Sequence, residues 1–418
     1  MENRATPITE LLSFMVDNRG KTVPTAESGF PLIATNCIKN SSIYPTFENV
    51  RYVDEKTKDS WFRAHPEPND IIFVNKGTPG RVCLVPEPVP FCFAQDMIGF
   101  RCDPEKIDYQ YLFAVLRSDY IQKKIENYHV GLVIPHFKKG DLKQLNIPRL
   151  ESREAELAVG KLYLALSEKI ELNNHINAEL EAMAKTLYDY WFVQFDFPDA
   201  NGNPYKTSGG KMVYNPTLKR EIPEGWEATN IGKISKTELG GTPSTSVDEY
   251  WQNADIPWLS SAETASFPII TSEQKITRAG IDNSAATLLS KGTVVISIVR
   301  YIRPSILGID AATNQSVVGI RECKRLKSSF LYPYFCREVP RLMGLRTGAQ
   351  QPHINKGVIE GSPIVIPCEK VLTDYYKVAD PIFEKIMNLA LQSHELMKLR
   401  DWLLPMLMNG QVTVGEAS

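Results

Sequence analysis

"VGLVIPHF" at Val130–Phe137 and "TGAQQPHI" at Thr347–Ile354 say nearly the same thing 217 positions apart. In each, glycine is followed four residues on by Pro-His and then by an apolar residue. A recurrence at so long a period has to be resolved before any local assignment, because it decides the architecture. Moving outward, "DNRGKTVP" from Asp17 meets "ELGGTPS" from Glu238, placing Gly20 and Thr22 on Gly240 and Thr242 at an offset of 220. "AQDMIGFR" meets "NQSVVGIR" at the same offset, so Gln95, Gly99 and Arg101 fall on Gln315, Gly319 and Arg321. The Pro-His stretches put Gly131, Pro135, His136 and Lys139 on Gly348, Pro352, His353 and Lys356. "NIPRL" at Asn146 meets "VIPCE" at Val365, and "SEKIELNNHINAEL" meets "FEKIMNLALQSHEL" at an offset of 216. Offsets that drift only between 216 and 220 point to two tandem copies of one unit, a mixed block followed by a helix.

The remaining bulk properties fit that frame. The chain has 418 residues, 43% apolar and 23% charged, which is globular composition and room for two to three domains. There is no run of eighteen apolar residues, so no membrane span is expected, and the N-terminus lacks the pattern of a secretory signal. Seven cysteines, an odd number with no C-x-x-C pair, read as reduced thiols and imply a cytoplasmic protein. Net charge is −2, but residues 1–150 carry +1 and residues 217–367 carry +3, and Arg321–Arg346 holds seven basic residues against two acids. A near-neutral total therefore conceals basic faces compatible with DNA.

Within the blocks, "DIIFVN", "GTVVISIV" and "SPIVIP" read as short strands punctuated by Gly and Pro, and a helix is expected from Tyr109 to Glu126. After each block comes a long heptad pattern. One row is Val159, Leu166, Asn173, Leu180, Leu187, and we read Leu162, Lys169, Ile176, Met183, Tyr190 as the interleaved row. Shifted by 216 these become Tyr375, Ile382, Leu389, Leu396, Leu403 and Val378, Lys385, Gln392, Leu399, Met406. Such seams predict an antiparallel coiled-coil pair, the alternative being two amphipathic helices packed on separate domains, and Lys169 and Lys385 are polar intrusions that lower stability but can fix register. Pro381 predicts either a kink or a fresh start capped by Asp380. Helices of roughly 35 to 40 residues span about 50 to 60 Å, about one and a half turns of B-DNA. The expected fold is thus mixed α/β (α+β): two globular blocks separated by a pair of long antiparallel helices, with an internal pseudo-two-fold repeat.

Motifs for catalysis are missing. "NRGKTV" ends like a phosphate-binding loop, but the required first glycine is Met15. No G-x-G-x-x-G, G-x-S-x-G or H-E-x-x-H occurs. His136 and His353 each follow a proline just before an expected helix start, where a side chain can satisfy backbone groups, with a DNA phosphate or base contact as the second reading. Gln350 and Gln351 replace Val133 and Ile134 of the first copy, as reading positions would, and glutamine can bond adenine bidentately. The candidate DNA-binding residues are Arg19, Lys21, Arg51, Lys76, Arg81, Lys138 and Lys139 in the first block. In the second they are Thr242, Arg300, Arg303, Arg321, Arg346, Gln350 and Gln351. Lys and Arg position a duplex through phosphates, whereas base contacts specify it.

Three segments carry a family resemblance: "IPEGWEATNIGKISKTELGGTPSTSVDEYWQNADIPWLS" from Ile222, "LEAMAKTLYDYWFVQFDFP" from Leu180 and "LMKLRDWLLPMLMNGQV" from Leu396. They resemble the specificity subunit of type I restriction-modification enzymes, and the resemblance covers nearly the whole chain. It departs at the start, where the first block has no "IPEGW" lead-in. The resemblance implies a target-recognition domain over 1–150, a central helical region and linker over 151–216, a second recognition domain over 217–367 and a distal helical region over 368–418. It implies a non-catalytic reader of a bipartite asymmetric site on double-stranded DNA, with two modification subunits and two restriction subunits as partners. S-adenosylmethionine, ATP and magnesium are then expected on those partners, and no cofactor or metal on this chain. Tyr188, Trp191, Phe192, Trp402 and Leu403 are the candidate partner contacts, or help to close the helical pair. Rival readings are a solitary enzyme using the Pro-His loops and a coiled-coil scaffold with two protein-binding heads.

Overall fold

The structure is a computed structural model, and it describes residues 4–18, 22–127 and 135–415. The chain forms two compact units, Met1–Leu172 with Ser393–Ser418, and Asn173–Gln392. Each unit therefore joins one globular block to one end of both long helices, so the compact division cuts across the linear one.

In the first unit the strands are β1 (Ala5–Pro7), β2 (Leu12–Val16), β3 (Phe30–Ile33), β4 (Arg51–Val53), β5 (Ile71–Val74), β6 (Val82–Leu84), β7 (Cys92–Phe93), β8 (Met97–Cys102) and β9 (Asn146–Pro148). They form a four-stranded sheet in the order β2-β8-β5-β6, a three-stranded sheet β4-β3-β7 and the pair β1-β9. Strand β5 is apolar at every position because it serves two cores: Ile71 and Phe73 pack on one side, Ile72 and Val74 on the other. The expected helix over 109–126 is two helices, Tyr109–Arg117 and Asp119–Asn127. Ser118 turns to extended backbone between them, and its hydroxyl bonds back to the Val115 carbonyl.

The second unit opens with the hairpin β10 (Met212–Asn215) and β11 (Arg220–Pro223). There follow β12 (Glu227–Asn230), β13 (Thr237–Leu239), β14 (Ile256–Leu259), β15 (Gln274–Ile276), β16 (Val294–Ser297), β17 (Arg303–Ile306), β18 (Ala312–Thr313), β19 (Val317–Ile320) and β20 (Pro363–Ile366). Their order is β13-β19-β16-β17, β15-β14-β18 and β12-β20. That repeats the first unit sheet for sheet, including the one parallel contact, β3 with β7 and β14 with β18. Ile72 faces Gly99 and Val295 faces Gly319, so the glycines matched by sequence occupy one site in the ladder. A Cβ there would come within 3.0 Å of Val16 in one copy and 2.6 Å of Leu289 in the other, so both sites favour glycine.

The long helices are Arg153–Tyr188 and Glu369–Met408. Within each unit they run antiparallel. In the first, Arg400 bonds the Ser167 hydroxyl and covers the ring of Tyr163. In the second, Asn173 meets Gln392 and Trp191 meets Tyr375. The first heptad rows are buried or half-buried as expected, but the second rows are not the seam: Lys169, Met183, Tyr190, Val378, Lys385 and Leu399 are exposed. The buried partner rows lie one residue later, through Tyr163, Ile170, Asn177 and Ala184 on one helix and Ala379, Ile386, Ser393 and Leu407 on the other. One residue is about 100° of helix rotation, enough to turn a row from the contact to the solvent. Lys169 and Lys385 are thus surface residues, and the polar seam positions are Asn173, Asn177 and Ser393. Asn173 Nδ2 donates to Gln392 Oε1 at 2.8 Å. The second helix passes through Pro381 without a break, and Asp380, rather than capping, accepts from Lys327 Nζ at 2.6 Å and Ser329 Oγ at 2.7 Å.

Candidate nucleic-acid interface

The Pro-His segments meet the sheets at the ends of β5 and β16. In the first unit the Asn75 N–H donates to Asp96 O at 2.9 Å, the Phe137 N–H to Asn75 O at 2.8 Å, and the Gly77 N–H to Pro135 O at 2.9 Å. In the second the same bonds join Ile298 to Ser316 at 2.9 Å, Ile354 to Ile298 at 3.0 Å, and Arg300 to Pro352 at 2.8 Å. Three matched bonds make Asn75, Lys76 and Gly77 the counterparts of Ile298, Val299 and Arg300. The Pro-His end of each repeat, Pro135–Phe137 and Pro352–Ile354, is therefore a brace that holds the corner leaving the central strand. The histidines do not cap helices, contrary to their sequence reading. Asn355 caps Lys356–Glu360, accepting from the Val358 N–H at 3.1 Å. His353 sits instead in a bridge with Thr347, its Nδ1 3.1 Å from Gln351 O, and His136 Nε2 lies 3.4 Å from Asn75 Nδ2.

Identical backbone frames carry different side chains at this corner. The first unit has a polar cavity of about 450 Å³ lined by Arg63, Asn75, Lys76, Gln95 and His136 together with the carboxylates of Asp17 and Asp96. Asn75 is buried, and its Oδ1 has no protein partner among the described residues. Lys76 lies 3.8 Å from Asp96, and Lys139 pairs with Asp17 at 2.8 Å. Arg51 and Lys138 are exposed and Arg81 half-buried. Arg19 and Lys21 lie outside the described residues. In the second unit the corner is Ile298, Val299, Arg300, with Arg300, Tyr301 and Arg303 all exposed. Arg303 covers the Tyr301 ring at 4.8 Å. Arg346 does not reach outward: its Nε donates to Met343 O and its Nη1 to Arg300 O. Gln350 and Gln351 are exposed beside Pro352.

Two nominated residues belong to the framework. The Arg321 guanidinium is bonded to Glu238 at 2.5 Å and to the Leu288 carbonyl at 2.9 Å. Burial pushes the Glu238 carboxyl up, but bonds from Lys236 and Arg321 outweigh it and leave the group below its usual range. The matched Arg101 is held by Asp70 and Glu67, and the bond from Asp70 pushes its guanidinium up. Both arginines pin sheets rather than face out. The Thr242 hydroxyl, likewise, donates to Gln315 at 2.5 Å.

The partner candidates also divide. Tyr188, Trp191 and Phe192 lie in the core of the second unit, packed with Phe330 and Tyr375. Leu403 is half-buried on the core of the first, and Trp402 is exposed. What the sequence reading missed is the backbone of Arg300, at φ +60° where the first copy has Gly77 at φ +88°. The signal was available: three residues gained before β16 move the alignment from 220 to 223 and set Arg300 on Gly77.

The comparisons with known proteins agree with one another. The family model described as "Type I restriction modification DNA specificity domain" matches residues 11–182 and 223–371, once in each copy. The chain is 25% identical over 395 residues to the type I restriction enzyme MjaIX specificity subunit of Methanocaldococcus jannaschii, covering 92% of this chain and 87% of that one. It is 22% identical over 321 residues to the HindI specificity subunit of Haemophilus influenzae, covering 64% and 69%. In fold it is similar to the type I restriction-modification S subunit of M. genitalium, with a TM-score of 0.56 at 15% identity over 100% of this chain and 98% of that chain. The duplicated heads, the paired helices and these matches place the chain in the type I restriction-modification DNA specificity family, whose role is the choice of DNA target.

Proposed function

We propose that this chain reads a bipartite, asymmetric site on double-stranded DNA, one half with each head, and takes no part in the chemistry itself. The observation that carries the reading is the matched corner: one braced backbone frame, built twice, presents a polar cavity in one head and an arginine-rich ridge in the other. Equal frames with unequal side chains suit two half-sites of different sequence. The long helices serve as the platform for two modification subunits, and restriction subunits join that assembly. Exposed apolar residues on the helices, including Met183, Val378, Leu399 and Trp402, are what such a partner would cover. S-adenosylmethionine, ATP and magnesium act on those partners, where the adenine is flipped and methylated.

The experiment is to co-express the chain with a modification subunit and map methylated adenines across the genome. The expected result is one motif with two short specified halves and an unspecified spacer. Footprinting should show two short protected patches with an unprotected spacer between them. A continuous motif, or methylation that is independent of this chain, would refute the reading.

A further inference from the structure

Resting on the proposal that the second head reads one half-site, we propose that Arg300 is a specificity-determining residue that reads the guanine of a G·C pair there. The argument starts from backbone chemistry. A left-handed conformation puts Cβ against the next carbonyl, so glycine is the ordinary occupant and an arginine there is strained. The duplicated fold supplies its own control. At the same corner, in the same three hydrogen bonds, the first head uses Gly77 at φ +88° and the second uses Arg300 at φ +60°. The strain is therefore not required by the fold. It persists because the surroundings impose it.

Those surroundings are visible. The Arg300 N–H donates to Pro352 O, and its carbonyl accepts from Arg346 Nη1. Arg346 is itself tied to Met343 O. One arginine thus clamps the backbone of another, leaving the Arg300 side chain exposed and with no ion pair among the described residues. Its neighbours are the Tyr301 ring, 59% exposed under the Arg303 guanidinium, and the exposed Gln350–Gln351 pair. A guanidinium fork is the commonest reader of guanine O6 and N7 in the major groove, and adjacent glutamines fit a neighbouring adenine. A phosphate contact would need only charge, which lysine on an unstrained backbone supplies.

The test uses the full chain assembled with its modification subunits. Arg300→Gly places in the second head what the first already has, so its melting temperature should stay level or rise. Its methylation motif should relax at one G·C position in one half of the site, leaving the other half and the spacer unchanged. Methylation of sites altered there should rise about ten- to hundredfold relative to the parent site. Arg300→Lys, which keeps the charge but loses the fork, should relax the same position. An unchanged motif with evenly weakened methylation, restored by lysine, would show a phosphate contact and overturn the proposal. So would relaxation at an A·T position or in both halves. A parent complex that yields no bipartite motif would refute the proposed function rather than the role of Arg300.

Discussion

Trp191 and Trp402 read alike in sequence, at the ends of matched helices, yet their surroundings predict opposite behaviour on truncation. Trp191 is 6% exposed and packs on Tyr375 at 5.6 Å and Phe192 at 6.2 Å. Roughly 200 Å² of buried indole at about 25 cal/mol per Å² gives about 5 kcal/mol, and core Trp→Ala changes cost about 3–5 kcal/mol. Trp402 is 60% exposed, so the same arithmetic leaves at most about 2 kcal/mol. Because the two units need not unfold together, a single melting temperature blurs the comparison, whereas hydrogen exchange read peptide by peptide resolves it. Trp191→Ala should speed exchange of the slowest amides in Asn173–Gln392 by about two to three and a half orders of magnitude, leaving the other unit nearly unchanged. Trp402→Ala should shift protection little while weakening capture of the modification subunit. If Trp191→Ala leaves protection intact and abolishes capture, the packing account of this cluster is wrong.

Three further outcomes follow from the framework. Glu156 is buried and accepts from Arg149 Nε at 2.7 Å, Arg149 Nη2 at 2.8 Å and the Leu150 N–H at 3.1 Å, so Glu156→Gln should cost the first unit about 3–5 kcal/mol in urea unfolding; a loss under about 1 kcal/mol would contradict it. The Glu238 carboxyl sits below its usual range in the folded state, so its bond with Arg321 contributes fully above the ordinary carboxylate pKa and fades as pH falls through the folded value. The second unit should therefore lose stability below about pH 5 more steeply than its Glu238→Gln variant, and parallel pH profiles would exclude the effect. Replacing the seam residue Asn173 by leucine should raise resistance to urea while broadening the exchange pattern along the helices, since a polar residue in a seam lowers stability and fixes register; a drop in stability with unchanged exchange would show its bond to Gln392 to be a net stabiliser.

Much of the architecture was legible because duplication makes the chain its own comparison. The glycines at Gly99 and Gly319 recur where a neighbouring side chain crowds the space a Cβ would take in both copies. The arginines two positions on recur because each pins a carboxylate. Constraints of that kind leave the same letter at the same place, and the letter can be read. The helical seam was harder. Its true second row mixes Tyr163, Ile170, Ile386 and Leu407 with Asn177, Ser393 and Arg400, and the row one position earlier mixes Met183, Val378 and Leu399 with Lys169 and Lys385. Hydropathy alone does not separate the two rows because the outer face of these helices carries apolar residues as well, a departure from the rule that ordinarily reveals the buried side.

The corner of each head lies at the far limit of what sequence can show. Arg321 and Arg300 are both arginines in basic surroundings, and composition treats them alike. Only hydrogen bonding separates them, the first being fixed to Glu238 and the second held by its own backbone. Nor does any local pattern announce a left-handed residue that is not glycine. The other copy does, because the three residues gained before β16 set Arg300 on Gly77 in the sequence as in the strand ladder. Where one backbone is built twice and only one copy carries a side chain on its left-handed corner, the Arg346 clamp holds the strained residue in place, and the exposed guanidinium it presents is what the other copy lacks.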